Sequence, residues 1–274
     1  MARHKKTLGI CKLCGKNGEL TYEHVHPRCA FNKKTKYVIV DFLNHVQNDS
    51  FLNEKPKGKI KQGGIGYNSF CSKCNSFLGS IYVNAYKEWV NCGKFIIDNS
   101  NSFNVARYQI KNQEPNKILK SIISMFLAIN PDWYLESYPE LSDFVNNPEQ
   151  IELDKRFKIF SYLTTDGGTR YFPHATAYIP NLGGALNCSE IAFPPYGYLL
   201  TIDFENKINI LNDITNFKNY SELTNMSLTM FNLQVHSPFP IDYRNKIEIQ
   251  NAIDKGLETK KQNTEKPTAN TVYN

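Results

Sequence analysis

Two short cysteine pairs frame the residues of this chain that are equipped for chemistry. Cys11-Lys12-Leu13-Cys14 and Cys71-Ser72-Lys73-Cys74 each place two thiols three positions apart. At that spacing both sulfurs can close on one tetrahedral zinc, and two pairs complete a four-sulfur site. Such a site has no open position, so its metal builds structure and does no chemistry. Between the pairs lies Tyr22-Glu23-His24-Val25-His26-Pro27, and Asn75 follows Cys74 at once. A carboxylate and an amide oxygen suit magnesium or manganese, and an imidazole can take a proton near neutral pH. If Cys14 and Cys74 share a zinc, Asn75 must come close to the turn that carries Glu23 and His24.

The elements that would position these groups can be read from the pattern around them. Gly15 and Gly18 permit the tight turns of a zinc knuckle. Glu19 to His24 alternates as a short strand, which Pro27 stops. Tyr67 to Phe70 reads as a second strand. A helix opens near Asn75, with Phe77, Leu78, Ile81, Tyr82, Ala85 and Trp89 at helical spacing. Asn75 at a helix start serves equally well as a cap. His26 in an extended segment would share the side of His24, or else pack beside Pro27. Arg28 is placed to pin a phosphate or to form a surface ion pair.

Residues 28–66 are poorly periodic and rich in lysine, with Tyr37–Val40 as a short strand or helical turn inside them. Lys55, Lys57, Lys59 and Lys61 suit a loop lying along a phosphate backbone. Residues 1–98 hold 16 Lys/Arg against 7 Asp/Glu, a surplus of nine; residues 99–274 hold 16 against 19, a deficit of three. A basic front and a faintly acidic back fit a nucleic-acid-binding module joined to something else. Cys29, Cys92 and Cys188 have no partner spacing and read as free, buried thiols, with Cys29 near enough to be a stray ligand.

The arrangement resembles the HNH nuclease family over roughly Ile10 to Trp89. The resemblance implies a ββα unit that grips one divalent cation and cuts nucleic acid. Carried over position by position, Glu23 matches the acidic metal ligand, His24 the general base, and Asn75 the metal ligand at the start of the helix. The family's middle asparagine position holds Gly66 here. Asn68 lies two residues further on and needs a bulge to help orient His24. The lysine often found after the final Cys-Asn is replaced by Ser76-Phe77-Leu78-Gly79. The implied cofactors are structural zinc and catalytic magnesium or manganese, and the implied partner is DNA. The alternative is a zinc-stabilised module that binds nucleic acid without cutting it.

The expected fold class is α+β: a zinc-stapled ββα module over residues 1–98, a mixed α/β domain over 99–254, and a disordered tail over 255–274. Asp98 to Ser102 is the polar boundary. Beyond it, Pro115–Ile129 is a helix, with proline in its first turn and Pro131 ending it. Phe157–Leu163, Thr176–Ile179, Tyr198–Phe204, Lys207–Leu211 and Ser227–Val235 read as strands. Thr165-Asp166-Gly167-Gly168 and Leu182-Gly183-Gly184 read as turns, and Ser189 to Gly197 as a pocket lining or a rigid loop. His174 and His236 stand isolated. The second half carries no catalytic constellation and is assigned to regulation by a ligand, oligomerisation or substrate binding. It resembles, faintly, C-terminal regions of HNH proteins from bacterial mobile elements and anti-phage defence. Hydrophobic residues make up 41% of the chain, enough for a substantial core. No apolar run is long enough to cross a bilayer, and the basic N-terminus has no signal core, so the expected location is the cytoplasm.

Overall fold

The computed structural model describes residues 7–40, 44–45, 47, 57–100, 104–165, 168–179 and 184–264. It is a mixed α+β structure. The first part runs β1 (Thr7–Ile10), β2 (Asn17–His24), a hairpin of β3 (Tyr37–Ile39) and β4 (Lys59–Lys61), then β5 (Gly66–Cys71), α1 (Ser72–Ile81) and α2 (Val83–Asn99). β1, β2 and β5 form one antiparallel sheet in that order, so the hairpin is an insertion between two neighbouring strands. The expected single helix is broken at Tyr82, which caps α1 and turns its hydroxyl to the Val145 carbonyl at 2.6 Å.

The second part contains β6 (Val105–Gln113), α3 (Pro115–Ile129), α4 (Trp133–Ser137), α5 (Pro139–Asn146), β7 (Phe157–Leu163), β8 (Arg170–Ile179), β9 (Gly184–Phe193), β10 (Tyr196–Ile202), β11 (Asn212–Asp213), β12 (Thr224–Phe231) and α6 (Lys246–Thr264). Five strands form an antiparallel sheet in the order β11-β7-β10-β9-β8, and β12 pairs separately with β6. Three expectations need correction. Ser189 to Gly197 is not a loop: it is the β9–β10 hairpin, turning at Pro194-Pro195, where prolines are tolerated because no ladder donor is needed. Lys207–Leu211 is not a strand, because Ile208 and Leu211 enter the core from a turn that lacks ladder partners. Nor is all of 255–274 unstructured. Residues 255–264 continue α6, which has little apolar face but a reciprocal cap, Asn245 with Glu248, and a run of helix-forming residues.

α3 is the central pillar. Ile118, Leu119, Ile122, Ile123 and Phe126 are fully buried, and of its polar positions all but Lys117 lie inside. A helix apolar or enclosed all round belongs at the middle of a core. One face of the five-stranded sheet packs on it through Ile191, Tyr196, Tyr198 and Leu200, in the same cluster as Cys11, Leu13, Val25 and Trp89. The other face carries Tyr162, Leu186, Cys188 and Leu199 in a second, smaller cluster. Trp89 stacks on Tyr196 with centroids 4.5 Å apart and donates to the Tyr198 hydroxyl at 2.9 Å.

The C-terminal end of α3 is where both parts meet. Its last carbonyls have no intrahelical partners and must find donors elsewhere. Lys12, in the first cysteine pair, reaches the carbonyls of Ala128 and Asn130, and Ser69 of β5 donates to Ala128 at 2.8 Å. A cation also suits the negative end of a helix. Asn130 ties the same end to Ser189 of β9 and to the His174 amide of β8. Lys12→Met keeps the stem and removes the donors, leaving two carbonyls short of partners. Denaturant unfolding should show a loss of about 1–3 kcal/mol; an unchanged midpoint would mean that Lys12 does not dock the cysteine pair onto α3.

Candidate functional site

The sulfurs of Cys11, Cys14, Cys71 and Cys74 all lie within 4.8 Å of one another. A tetrahedral zinc with Zn–S near 2.3 Å needs sulfurs about 3.8 Å apart, so the quartet fits such an ion. Local chain geometry explains the convergence. The Gly15 amide bonds the Cys11 carbonyl at 2.8 Å, with Gly15 in the left-handed region at φ +70°, and the Cys71 amide points at the Cys11 sulfur at 3.3 Å. Cys71 precedes the first turn of α1, where the Cys74 amide bonds its sulfur and pulls its pKa down to about 7. Burial pushes the Cys11 and Cys74 thiols up, which favours thiolates there only beside a cation. The cluster could therefore hold a metal such as zinc. Cys29 lies outside it and is exposed, while Cys92 is half-buried and Cys188 buried; all seven cysteines are free.

β2 leaves the first cysteine pair and presents its two faces to two environments. Glu23 faces α1, where its carboxyl meets the side chain of Asn75. Asn75 also donates to Thr21 Oγ1 at 2.9 Å, on the same side of the strand. Asn75 lies within α1, not at its cap, because the helix begins at Ser72. Burial raises Glu23 to a pKa of about 7, and the Asn75 hydrogen bond offsets only part of that rise. A divalent cation beside this carboxyl would favour its charged form, with Asn75 turning its amide oxygen to the ion in place of the N–H it presents to Glu23.

His24 faces the other way, edge-on to Tyr22 with ring centroids 5.1 Å apart. Its Nε2 lies 3.0 Å from the Gly63 carbonyl. That oxygen can only accept, so Nε2 carries the proton and Nδ1 is left as the basic nitrogen. Tyr22 donates to the neighbouring Gly64 carbonyl at 2.9 Å. Gly64, at φ +100°, allows this approach: a Cβ there would stand 2.1 Å from the Asn32 carbonyl oxygen and 2.8 Å from the His24 ring.

Asn32 is the residue that sequence reasoning missed. It is fully buried; its Nδ2 donates to the carbonyls of Val25, His26 and Ile65, and its Oδ1 accepts the Ile65 amide at 2.8 Å. It thereby ties the chain just after His24 to the chain entering β5. Only the diglycine at 63–64 signalled an unusual turn; nothing in the sequence marked Asn32.

An open cleft of about 810 Å³ runs along the His24 face, lined by Tyr22, His24, Arg28, Tyr37, Lys61 and Asn68 among others. A bulge between β2 and β5 sets Thr21 opposite Phe70 but Tyr22 opposite Asn68, which brings Asn68 to this cleft. The group bonded to the His24 ring is nevertheless the Gly63 carbonyl and not Asn68. Lys57 and Lys59 are exposed at the outer part of the hairpin, and Lys55 lies outside the described residues. His26 does not share this face. It is buried against Phe193 and Tyr198, and burial holds its pKa down at about 3, so it stays neutral. Glu23 and Asn75 thus meet on one side of β2, while His24, Arg28, Lys61 and Asn68 line the other.

Comparison with protein-family models, with curated proteins and with solved structures gives no match. No helix among the described residues is long and apolar enough to cross a membrane.

Two measurements check this geometry. Elemental analysis should find about one zinc per chain, lost together with cooperative folding when Cys14 and Cys74 are both changed to serine; a folded protein free of metal would contradict it. For Glu23 the folded pKa is raised from 4.5 to about 7, so its contribution to stability is lost as pH rises across that interval. Without added magnesium or manganese, Glu23→Gln should therefore be more stable than the parent at pH 8 by about 2–3 kcal/mol. The two should converge below pH 4.5. A variant less stable at pH 8 would mean that the carboxylate is held charged by something other than an added cation.

Proposed function

We propose that this chain is a metal-dependent endonuclease of the HNH, ββα-metal type that hydrolyses DNA phosphodiester bonds. The observations that support the reading are the Glu23–Asn75 pair on one side of β2 and, at the next residue, His24 lining a cleft with Arg28 and Lys61 on the other. A phosphate would lie across the end of β2, where the strand stops at His24, to meet both. The cysteine quartet would carry structural zinc, and Glu23 and Asn75 would hold magnesium or manganese. That ion, when bound, supplies positive charge to the scissile phosphate and its leaving oxygen. His24 takes the proton from the attacking water at Nδ1 while the new P–O bond forms and the bond to the leaving oxygen breaks. The Gly63 carbonyl holds the ring in the required tautomer, and Asn32 fixes the backbone on which it stands. Arg28 and Lys61 bind phosphates of the strand, with Lys57 and Lys59 extending the basic surface; Lys55, outside the described residues, is assigned the same role from the sequence alone. The cytoplasm is the corresponding location, and action on foreign DNA in defence against phage is the corresponding role; that role rests on the resemblance alone.

Plasmid nicking with manganese or magnesium is the test. His24→Ala should slow it by about a hundred- to ten-thousand-fold, with zinc content and melting temperature unchanged. Equal cutting by the variant would remove His24 from the chemistry. No cutting by the parent with any divalent ion, together with salt-sensitive DNA binding, would instead make the chain a zinc-stabilised binding module.

A further inference from the structure

A second cavity, of about 840 Å³, lies along β8, the last strand of the five-stranded sheet. His45, His174, His236 and Lys246 contribute to its lining, with Tyr171 and Phe172 adding aromatic surface. None of its described lining residues is a carboxylate. The neighbouring cleft, on the far side of residues 239–244, differs in carrying Asp242 and Glu248. Arg170 adds no free charge. It is paired with buried Glu190 at 2.6 Å and bonded to the Ser237 and Asp242 carbonyls, so it holds the wall in place. The Gly168 amide, bonded to the Val235 carbonyl at 2.8 Å, fastens the same wall. The volume is that of a small-ligand site, and a wall of aromatic rings and imidazoles with the Lys246 ammonium and no acid suits an anion with a flat apolar part.

One side chain of this cavity also touches the segment that directly follows His24. Tyr171 donates its hydroxyl to the Val25 carbonyl at 2.8 Å and lies 3.3 Å from His26 Nδ1. Val25 directly follows His24, and the same carbonyl receives Asn32. A ligand that pulls or locks Tyr171 therefore acts on the backbone that sets His24.

We propose that this cavity binds a small phosphorylated ligand of nucleotide size, and that Tyr171 transmits its occupancy to the His24 segment. The transmission rests on the nuclease reading; the binding does not. A phosphate would sit toward Lys246 and His236, and a base or other flat group against the aromatic wall. Trp133, partly exposed and edge-on to His174 with centroids 5.5 Å apart, provides an optical reporter.

The test titrates adenosine 5′-monophosphate, pyrophosphate and a thymidine hexanucleotide into the full chain carrying His24→Ala, by calorimetry and tryptophan fluorescence. The mononucleotide should bind saturably, one per chain. Lys246→Ala with His236→Ala should weaken it by about tenfold or more, with the melting temperature preserved. Tyr171→Phe should bind within about twofold of the parent, since the ring stays and only the hydroxyl is lost. In protein with His24 intact, the mononucleotide should change the nicking rate, and Tyr171→Phe should abolish that response. Binding overturns if neither mononucleotide nor pyrophosphate saturates, if the double variant binds as well as the parent, or if the hexanucleotide alone binds, which would assign the cavity to a nucleic-acid strand. Binding without any change in nicking rate overturns the transmission. Binding by a protein that cuts nothing with any divalent ion would leave the cavity assigned and end the nuclease reading.

Discussion

Four sulfurs gathered within 4.8 Å are the constraint on which the rest of the site depends. They join the chain at residues 11–14 to the chain at 71–74, which fixes β2 beside β5 and sets the start of α1. Holding both ends of the insertion together also fixes the closure of the chain between them. The confinement reaches the site through specific contacts. Lys12 and Ser69 anchor the stapled ends on α3, and Asn32 ties the turn after His24 to the turn before β5. Each link satisfies backbone groups that would otherwise be buried without partners, and the Asn32 link does so directly after His24.

Charge and burial are divided across β2. On its inner side Glu23 is largely shielded from water, which raises its pKa to about 7. On its outer side His24 borders an open cleft, with an arginine and a lysine near enough to attract phosphates. Strand alternation separates the two environments by a single residue. The inner carboxyl would ionise more fully beside a cation, and the outer face presents Arg28 and Lys61, with Glu19 also lining the cleft. The second half of the chain contributes rigidity: α3 supports the stapled module, and the paired Arg170 and Glu190, both buried, hold residues 237–242 against the sheet.

Much of this was legible in the sequence, for identifiable reasons. The cysteine spacing places its four sulfurs by covalent geometry. α3 and β7 run over the residues expected of them, because proline, apolar periodicity and β-branched or aromatic runs act locally. A bulge does bring Asn68 to the His24 cleft, but the group bonded to the His24 ring is the Gly63 carbonyl, so the orienting role expected of Asn68 is not what the bulge supplies. What stayed hidden depends on distant partners. Asn32 looks like any polar loop residue until its four backbone bonds are seen, and His26 alternates with His24 only while the chain remains extended. β9 was concealed by the prolines that end it, and the first ten residues of the expected tail are helical through a cap and propensity, with no apolar face to announce them.

The account turns on whether one cation occupies the space between Glu23 and Asn75. Crystals soaked in manganese and measured for anomalous scattering at the manganese and zinc edges would decide it. The prediction is a zinc peak at the four cysteines and a separate manganese peak at about 2.0–2.3 Å from a Glu23 carboxyl oxygen and the Asn75 amide oxygen. Glu23→Gln should remove the second peak and leave the first. Manganese absent from that position, or bound with no contribution from Glu23, would contradict the central claim.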